Sequence, residues 1–151
     1  MSAVEQKEAF QSALSDAFDC SLEVMQTVHE QLREKIKEHR ESRSSEPLEM
    51  SASEIGHILQ SCGIADEQVA AFQENCGEQF GSGVVLNPAN LIDSSRFEIK
   101  TPEITISADP EYSYLVETQI INGRKYLLIP TEDGVEVNGF AVSITAAQKD
   151  D

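Results

Sequence analysis

Apolar residues recur at helical spacing through roughly the first eighty positions and at alternating spacing after that. Ser2-Ala3-Val4-Glu5 has the Ser-x-x-Glu form of a capping box. Val4, Phe10, Leu14, Ala17 and Phe18 follow at mostly helical intervals, which predicts a first helix of about 15 residues. Asp19-Cys20-Ser21 breaks it, and Ser21 is placed to cap the next. Leu22, Met25, Val28, Leu32 and Ile36 then fall on one stripe of a second helix, opposite a charged face of Glu23, Glu30, Arg33, Glu34, Lys37 and Glu38. That helix fades near Arg40 into the polar run Glu41–Glu46, which Pro47 closes. A second helical pair is expected beyond it. Ser51 or Ser53 caps a short helix bearing Ile55, Ile58, Leu59 and Cys62, and Gly63 suits the left-handed position after its end. Asp66 and Glu67 favour the start of a further helix striped with Val69, Phe72, Cys76 and Phe80, and Gly81-Ser82-Gly83 stops it.

From there Val, Ile, Thr and Tyr replace Ala, Gln and Glu, and the period shifts to two. Asn87-Pro88-Ala89-Asn90 reads as a capped single turn with proline at the first helical position. Phe97/Ile99 and Ile104/Ile106 alternate around Thr101-Pro102, predicting two strands. Asn122-Gly123 joins Leu115–Ile121 to Arg124–Ile129, a strong hairpin signal because both turn residues need positive φ. A two-residue loop sets Ile120 opposite Lys125, Thr118 opposite Leu127, Glu117 opposite Leu128 and Gln119 opposite Tyr126. Asn138-Gly139 joins Val135–Val137 to Phe140–Ile144 in the same way.

Helices followed by strands read as α+β: an N-terminal helical segment of about four helices, then a small antiparallel β-sheet of hairpins. The expected divisions are a helical hairpin over 1–46, a second helical pair over 47–83, an antiparallel β region over 84–147 and a frayed tail over 148–151.

Charge narrows the function classes. The 151 residues hold 27 acidic and 11 basic side chains, a formal net charge of −16. The surplus is spread along the chain, and residues 51–83 contain no Lys or Arg. Such a chain disfavours phosphate-backbone binding and docking on anionic membranes. The spread fits a soluble, self-repelling surface, or an acidic face for a basic partner. No stretch approaches 18 consecutive apolar residues, so no membrane span is expected. The first residues have no apolar signal-peptide core. Cys20, Cys62 and Cys76 form no disulfide framework. The expected setting is cytoplasmic.

Candidate chemistry is sparse. His29, His39, His57, Cys62 and Cys76 have no recognised metal spacing, and both later cysteines fall on apolar stripes as buried thiols. His29 and His39 are expected along a solvated helix flank. No Gly-x-Ser-x-Gly is present, and acidic pairs are too abundant to single out a dyad. The stretch 53–75 has a helix-turn-helix outline, but its would-be reading helix carries four acidic residues and no cation. No catalytic residue, metal ligand or cofactor is assigned. What remains is interaction. Leu22, Met25, Val28, Leu32 and Ile36 can meet a partner helix or pack inside the chain on the first helix, and Tyr126 stands on a mixed hairpin face suited to a peptide edge or a dimer seam.

One resemblance spans nearly the whole sequence. Phe72–Gly81, the run Leu86-Asn87-Pro88-Ala89-Asn90-Leu91-Ile92-Asp93, Phe97–Ile106 and Gly134–Gly139 together resemble the C-terminal part of a bacterial family, domain of unknown function 4317, known mainly from Firmicutes. The Asn-Pro-Ala-Asn-Leu-Ile-Asp run is its most specific piece. Members of that family are longer at the N-terminus, so the resemblance implies a C-terminal piece or a short relative, with no catalytic residues to carry over. The element order is also similar to the C-terminal organisation of nucleoid-associated proteins of the NdpA type, an analogy without a shared motif.

The expected function is therefore a non-enzymatic protein-interaction or assembly module, with a protein partner or self-association. The alternatives are an accessory domain of a nucleoid-associated-like protein, or an enzyme whose site would gather His57, Cys62 and a carboxylate.

Overall fold

The computed structural model describes residues 2–81, 83 and 85–145. The chain divides into two compact units, Met1–Tyr114 and Leu115–Asp151. The expected tail at 148–151 lies outside the described residues.

The first unit begins with α1 (Ala3–Ala17), whose capping box forms as the sequence predicts. Ser2 Oγ accepts from the Glu5 amide at 3.1 Å, and the Ser2 amide donates to the Glu5 carboxylate at 2.8 Å. After a short extended link, Ser21 caps α2 (Leu22–Ser42), which runs two residues past Arg40 and stops at Arg43 in the left-handed region. α3 (Ala52–Ser61) starts from a Ser51/Glu54 capping box. It ends in a Schellman motif: the Ile64 amide reaches the Leu59 carbonyl and the Gly63 amide that of Gln60. α4 (Asp66–Phe80) has no side-chain cap, but Asp66 and Glu67 occupy its first turn. α5 (Pro88–Leu91) is the expected single turn, capped by Asn87.

These elements share one core. Phe10, Leu14, Val28, Leu32, Ile55, Leu59, Phe72 and Cys76 pack together, with Phe10 edge-on to Phe72 at 6.0 Å. α1 packs chiefly on α4, while α2 packs on α5 and α3. The interior option for the α2 stripe therefore differs in partner from the sequence expectation, which set α2 on α1. The contacts show what takes each place: Phe10 of α1 meets Phe72 of α4 edge-on, and the turn around α5 covers α2. α3 and α4 approach closely at Gly56, where a Cβ would meet the Gln73 amide and lie 3.1 Å from Val69 Cγ1.

Two short ladders complete the unit. β1 (Met50–Ser51) pairs antiparallel with β2 (Val85–Leu86), setting buried Met50 opposite buried Leu86. β3 (Phe97–Lys100) pairs antiparallel with β4 (Thr105–Ala108) around the expected Thr101-Pro102 turn. A 3₁₀ turn over Pro110–Leu115 follows.

The second unit holds β5 (Glu117–Ile121) and β6 (Arg124–Leu128), in the register the two-residue turn demands: Thr118 faces Leu127, Gln119 faces Tyr126 and Ile120 faces Lys125. Asn122 and Gly123 take φ of 51° and 79°. β7 (Glu136–Val137) and β8 (Phe140–Ala141) turn through Asn138-Gly139. The architecture is α+β, helices first and small antiparallel hairpins after, each ladder two-stranded.

Candidate functional site

The chemistry of the first unit gathers around Asp93. Its carboxylate accepts from the Ser95 amide at 2.9 Å and from the Ser95 hydroxyl, and pairs with Arg96 Nε at 3.2 Å. The two bonds from Ser95, with lesser help from Arg96, hold its carboxyl below the usual range. Its backbone carbonyl accepts from His29 Nε2 at 2.9 Å. A carbonyl oxygen only accepts, so Nε2 carries the proton and Nδ1 is the acceptor when the ring is neutral. The His29 ring also meets Phe97 edge-on at 5.2 Å. The expectation of a solvated flank for His29 is corrected here: the residue is 8% exposed. Helical spacing places it beside Val28, and the turn after α5 covers that side of α2.

The run 87–93 is what wires this region together. Asn87 caps α5 through the Ala89 amide at 3.0 Å. Gln6 of α1 accepts from the Asn87 amide at 3.3 Å and from the Asn90 side chain at 3.2 Å. Leu91 enters the core, and Asp93 takes His29. The capped turn is legible in the sequence; the two long-range ties, to Gln6 and to His29, are not.

Beside Asp93 opens a cleft of about 580 Å³. One wall is a face of α1 including Phe10 and Leu14, another is the start of α2 with Leu22 and Met25, and the third is the whole of Arg96–Lys100. Such a volume lies in the range of clefts that bind ligands. Its rim holds Lys7, Arg96 and Lys100; Arg96 is paired with Asp93 and Lys100 with Glu98 at 3.2 Å.

The residues singled out by the sequence separate accordingly. Leu22 and Met25 are half-buried cleft residues, and Val28 reaches the same cleft from a buried position. Leu32 is fully buried in the core. Ile36 is half-buried beside a small hollow with Arg33, Lys37 and Arg40. Tyr126 is exposed on β6 of the second unit. His39 is half-buried, its Nε2 bonded to the Glu46 carbonyl. Cys76 is buried and its thiol is pushed up to about 11 by burial, whereas Cys62 is half-buried and Cys20 exposed. His57 is exposed, and neither it nor Cys62 lines these clefts. Among the described residues, no group of three or more His, Cys, Asp or Glu is placed to hold a metal ion. Asp66, Glu67, Glu74 and Glu78 are all exposed, so α4 presents an acidic surface. No helix is long and apolar enough to cross a membrane among the described residues.

The family model described as domain of unknown function (DUF4317) matches residues 1–140. The chain belongs to that family. The match takes in the whole first unit of this DUF4317 chain and runs into the second as far as residue 140, just past the second Asn-Gly turn. No curated protein and no solved structure matches it.

The second unit of the DUF4317 chain is built differently from the first. Among its described residues Val116 is the one buried hydrophobic side chain. Ile120 (69% exposed), Ile121, Tyr126, Ile129, Val137 and Phe140 (75% exposed) stand in the open.

Proposed function

We propose that the chain is a non-enzymatic protein-interaction or assembly module of a bacterial cytosolic protein, and that the unit from Leu115 onward makes the contact. The observation that supports this is the exposure of large apolar side chains on both faces of β5–β6 and at β7–β8. An isolated two-stranded hairpin is marginal in water and gains stability from a covering surface. Large apolar side chains left exposed in this number favour an interaction role, because covering them removes apolar surface from water. The acidic exposed surface of α4 argues against a duplex as that partner.

The test pairs sedimentation over a rising concentration series with photo-crosslinking in cells from positions 120 and 140, using position 8 on α1 as a control. Self-association, or one recurring adduct from 120 and 140 that is absent from 8, is expected. Ile120→Lys and Phe140→Ser should abolish it while the helical circular dichroism stays unchanged. A strict monomer with no adduct from either position would sink the reading.

A further inference from the structure

The β3–β4 ladder leaves one strand edge open, and its surroundings suit a particular guest. Thr101 lies opposite Ile104 in this register and donates its amide to the Ile104 carbonyl at 2.8 Å. Antiparallel pairs alternate between bonded and non-bonded. Ile99 and Phe97 therefore turn their backbone groups toward β4, and Glu98 and Lys100 turn theirs away from it. Among the described residues, no hydrogen bond to the backbone N–H or C=O of Glu98 or Lys100 is formed.

The cleft runs along that open edge. It is lined by five consecutive residues, Arg96 to Lys100, and by none of β4. A cleft lying over one face of a strand would touch alternate residues, because successive side chains point to opposite faces. Contact with all five places it at the edge away from β4. Across it stand the apolar side chains of Phe10, Leu14, Leu22 and Met25. The burial pattern of β3 points the same way: Phe97 is buried and Ile99 half-buried, while Glu98 and Lys100 are exposed. A strand added here would inherit that alternation. One set of its side chains would face the apolar wall and the other would face water. At the rim, Arg96 and Lys100 already have carboxylate partners, and Lys7 has none among the described residues.

We propose that the free edge of β3 binds an extended peptide segment as a third strand. The peptide class has apolar side chains at alternate positions and a carboxylate placed for Lys7. The main-chain bonds of Glu98 and Lys100 would give affinity, and the cleft wall would select the alternate side chains. This site lies wholly within the first unit and does not rest on the reading of the hairpin unit.

The test uses a labelled synthetic octapeptide of alternating valine and threonine with a glutamate at each end, titrated to roughly 1 mM against the full chain and followed by amide NMR. Saturable shifts and slowed exchange at the Glu98 and Lys100 amides, with shifts of the Leu14, Leu22 and Met25 methyls, are expected. Glu98→Pro is the sharpest variant. The Glu98 N–H points away from β4, so proline at that edge position leaves the β3–β4 ladder intact while removing a donor to the guest. It should weaken binding about tenfold with unchanged thermal stability. Should that variant misfold, the wild-type chain titrated with a peptide N-methylated at alternate residues asks the same question, and equal binding by the methylated and plain peptides would overturn the proposal. So would shifts confined to β5–β6, or no response at all. A parallel titration with decanoate separates a small amphipathic anion from a strand. Binding of decanoate alone, moving the methyls but not the edge amides, would also overturn it.

Discussion

His29 of α2 donates its Nε2–H to the backbone carbonyl of Asp93 at 2.9 Å, joining two residues 64 positions apart. The bond is part-buried, and it anchors the turn into β3 to the middle of α2. Replacing His29 with Leu keeps apolar volume but leaves the carbonyl without its donor. The expected cost is about 1–3 kcal/mol, read as a fall in the urea midpoint. His29→Gln, which retains an N–H donor, should lose less. Equal losses for the two would show that packing against Phe97, rather than the hydrogen bond, holds this turn.

Acid should loosen the same turn and the first helix end together. Ser2 hydrogen bonds hold the Glu5 carboxyl below its ordinary value of 4.5, and Ser95 hydrogen bonds hold Asp93 below its ordinary 3.8. Both groups have depressed folded-state values. Their stabilising effect is present above the unfolded values and is lost as pH falls through the folded ones. Urea midpoints measured from neutral pH down into the acid range should drop through that window. Glu5→Gln and Asp93→Asn together should flatten the drop. Asp93→Asn leaves the carbonyl that His29 uses untouched, so the helix tie survives in this control.

Two of the three thiols, Cys20 and Cys76, should separate by rate. Cys76 is fully buried with its thiol pushed up to about 11, and Cys20 is exposed, its thiol raised by partial burial and by Asp19. The thiolate is the reacting species. Alkylation at mildly alkaline pH, read by peptide mass spectrometry, should label Cys20 well before Cys76. Cys76 should react only at denaturant concentrations that unfold the core around Phe72. Early labelling of Cys76 would contradict its place in the interior.

The Asn122-Gly123 turn tests the hairpin of the second unit alone. Both residues hold positive φ. An alanine at Asn122 must adopt a left-handed conformation that costs roughly 1–2 kcal/mol, and a two-stranded hairpin has little to spare. Asn122→Ala should erase the cross-strand contacts between Gln119 and Tyr126 in NMR spectra. Signals of Phe10 and Phe72 should stay in place.

Most of this fold is legible because its signals are local. Ser2, Ser21 and Ser51 announce helix starts by side-chain chemistry, Gly63 announces a stop, and two Asn-Gly pairs fix hairpin registers to the residue. The β1–β2 ladder is not legible. It pairs Met50 with Leu86 through two residues on each side, too short to show alternation. The 3₁₀ turn at Pro110 is also too short to show a period. The candidate site is legible only in part. Leu22 and Met25 show up as a stripe, but a stripe does not reveal whether its end faces a core or a cleft. His29 reads as a flank residue because what covers it arrives from Asp93. Gln6 gives no signal at all, since its role depends on where α5 comes to rest.

The β1–β2 ladder sets how the first unit would bear load. Met50 faces Leu86, so the backbone enters and leaves the α3–α4 pair at one place. Stretched from α2 and α5, the chain would carry tension straight across those two residue pairs. The helical pair between them would hang outside the line of force until the ladder parts. Its rupture would then leave α3 and α4 held by their packing on α2 and α1 alone.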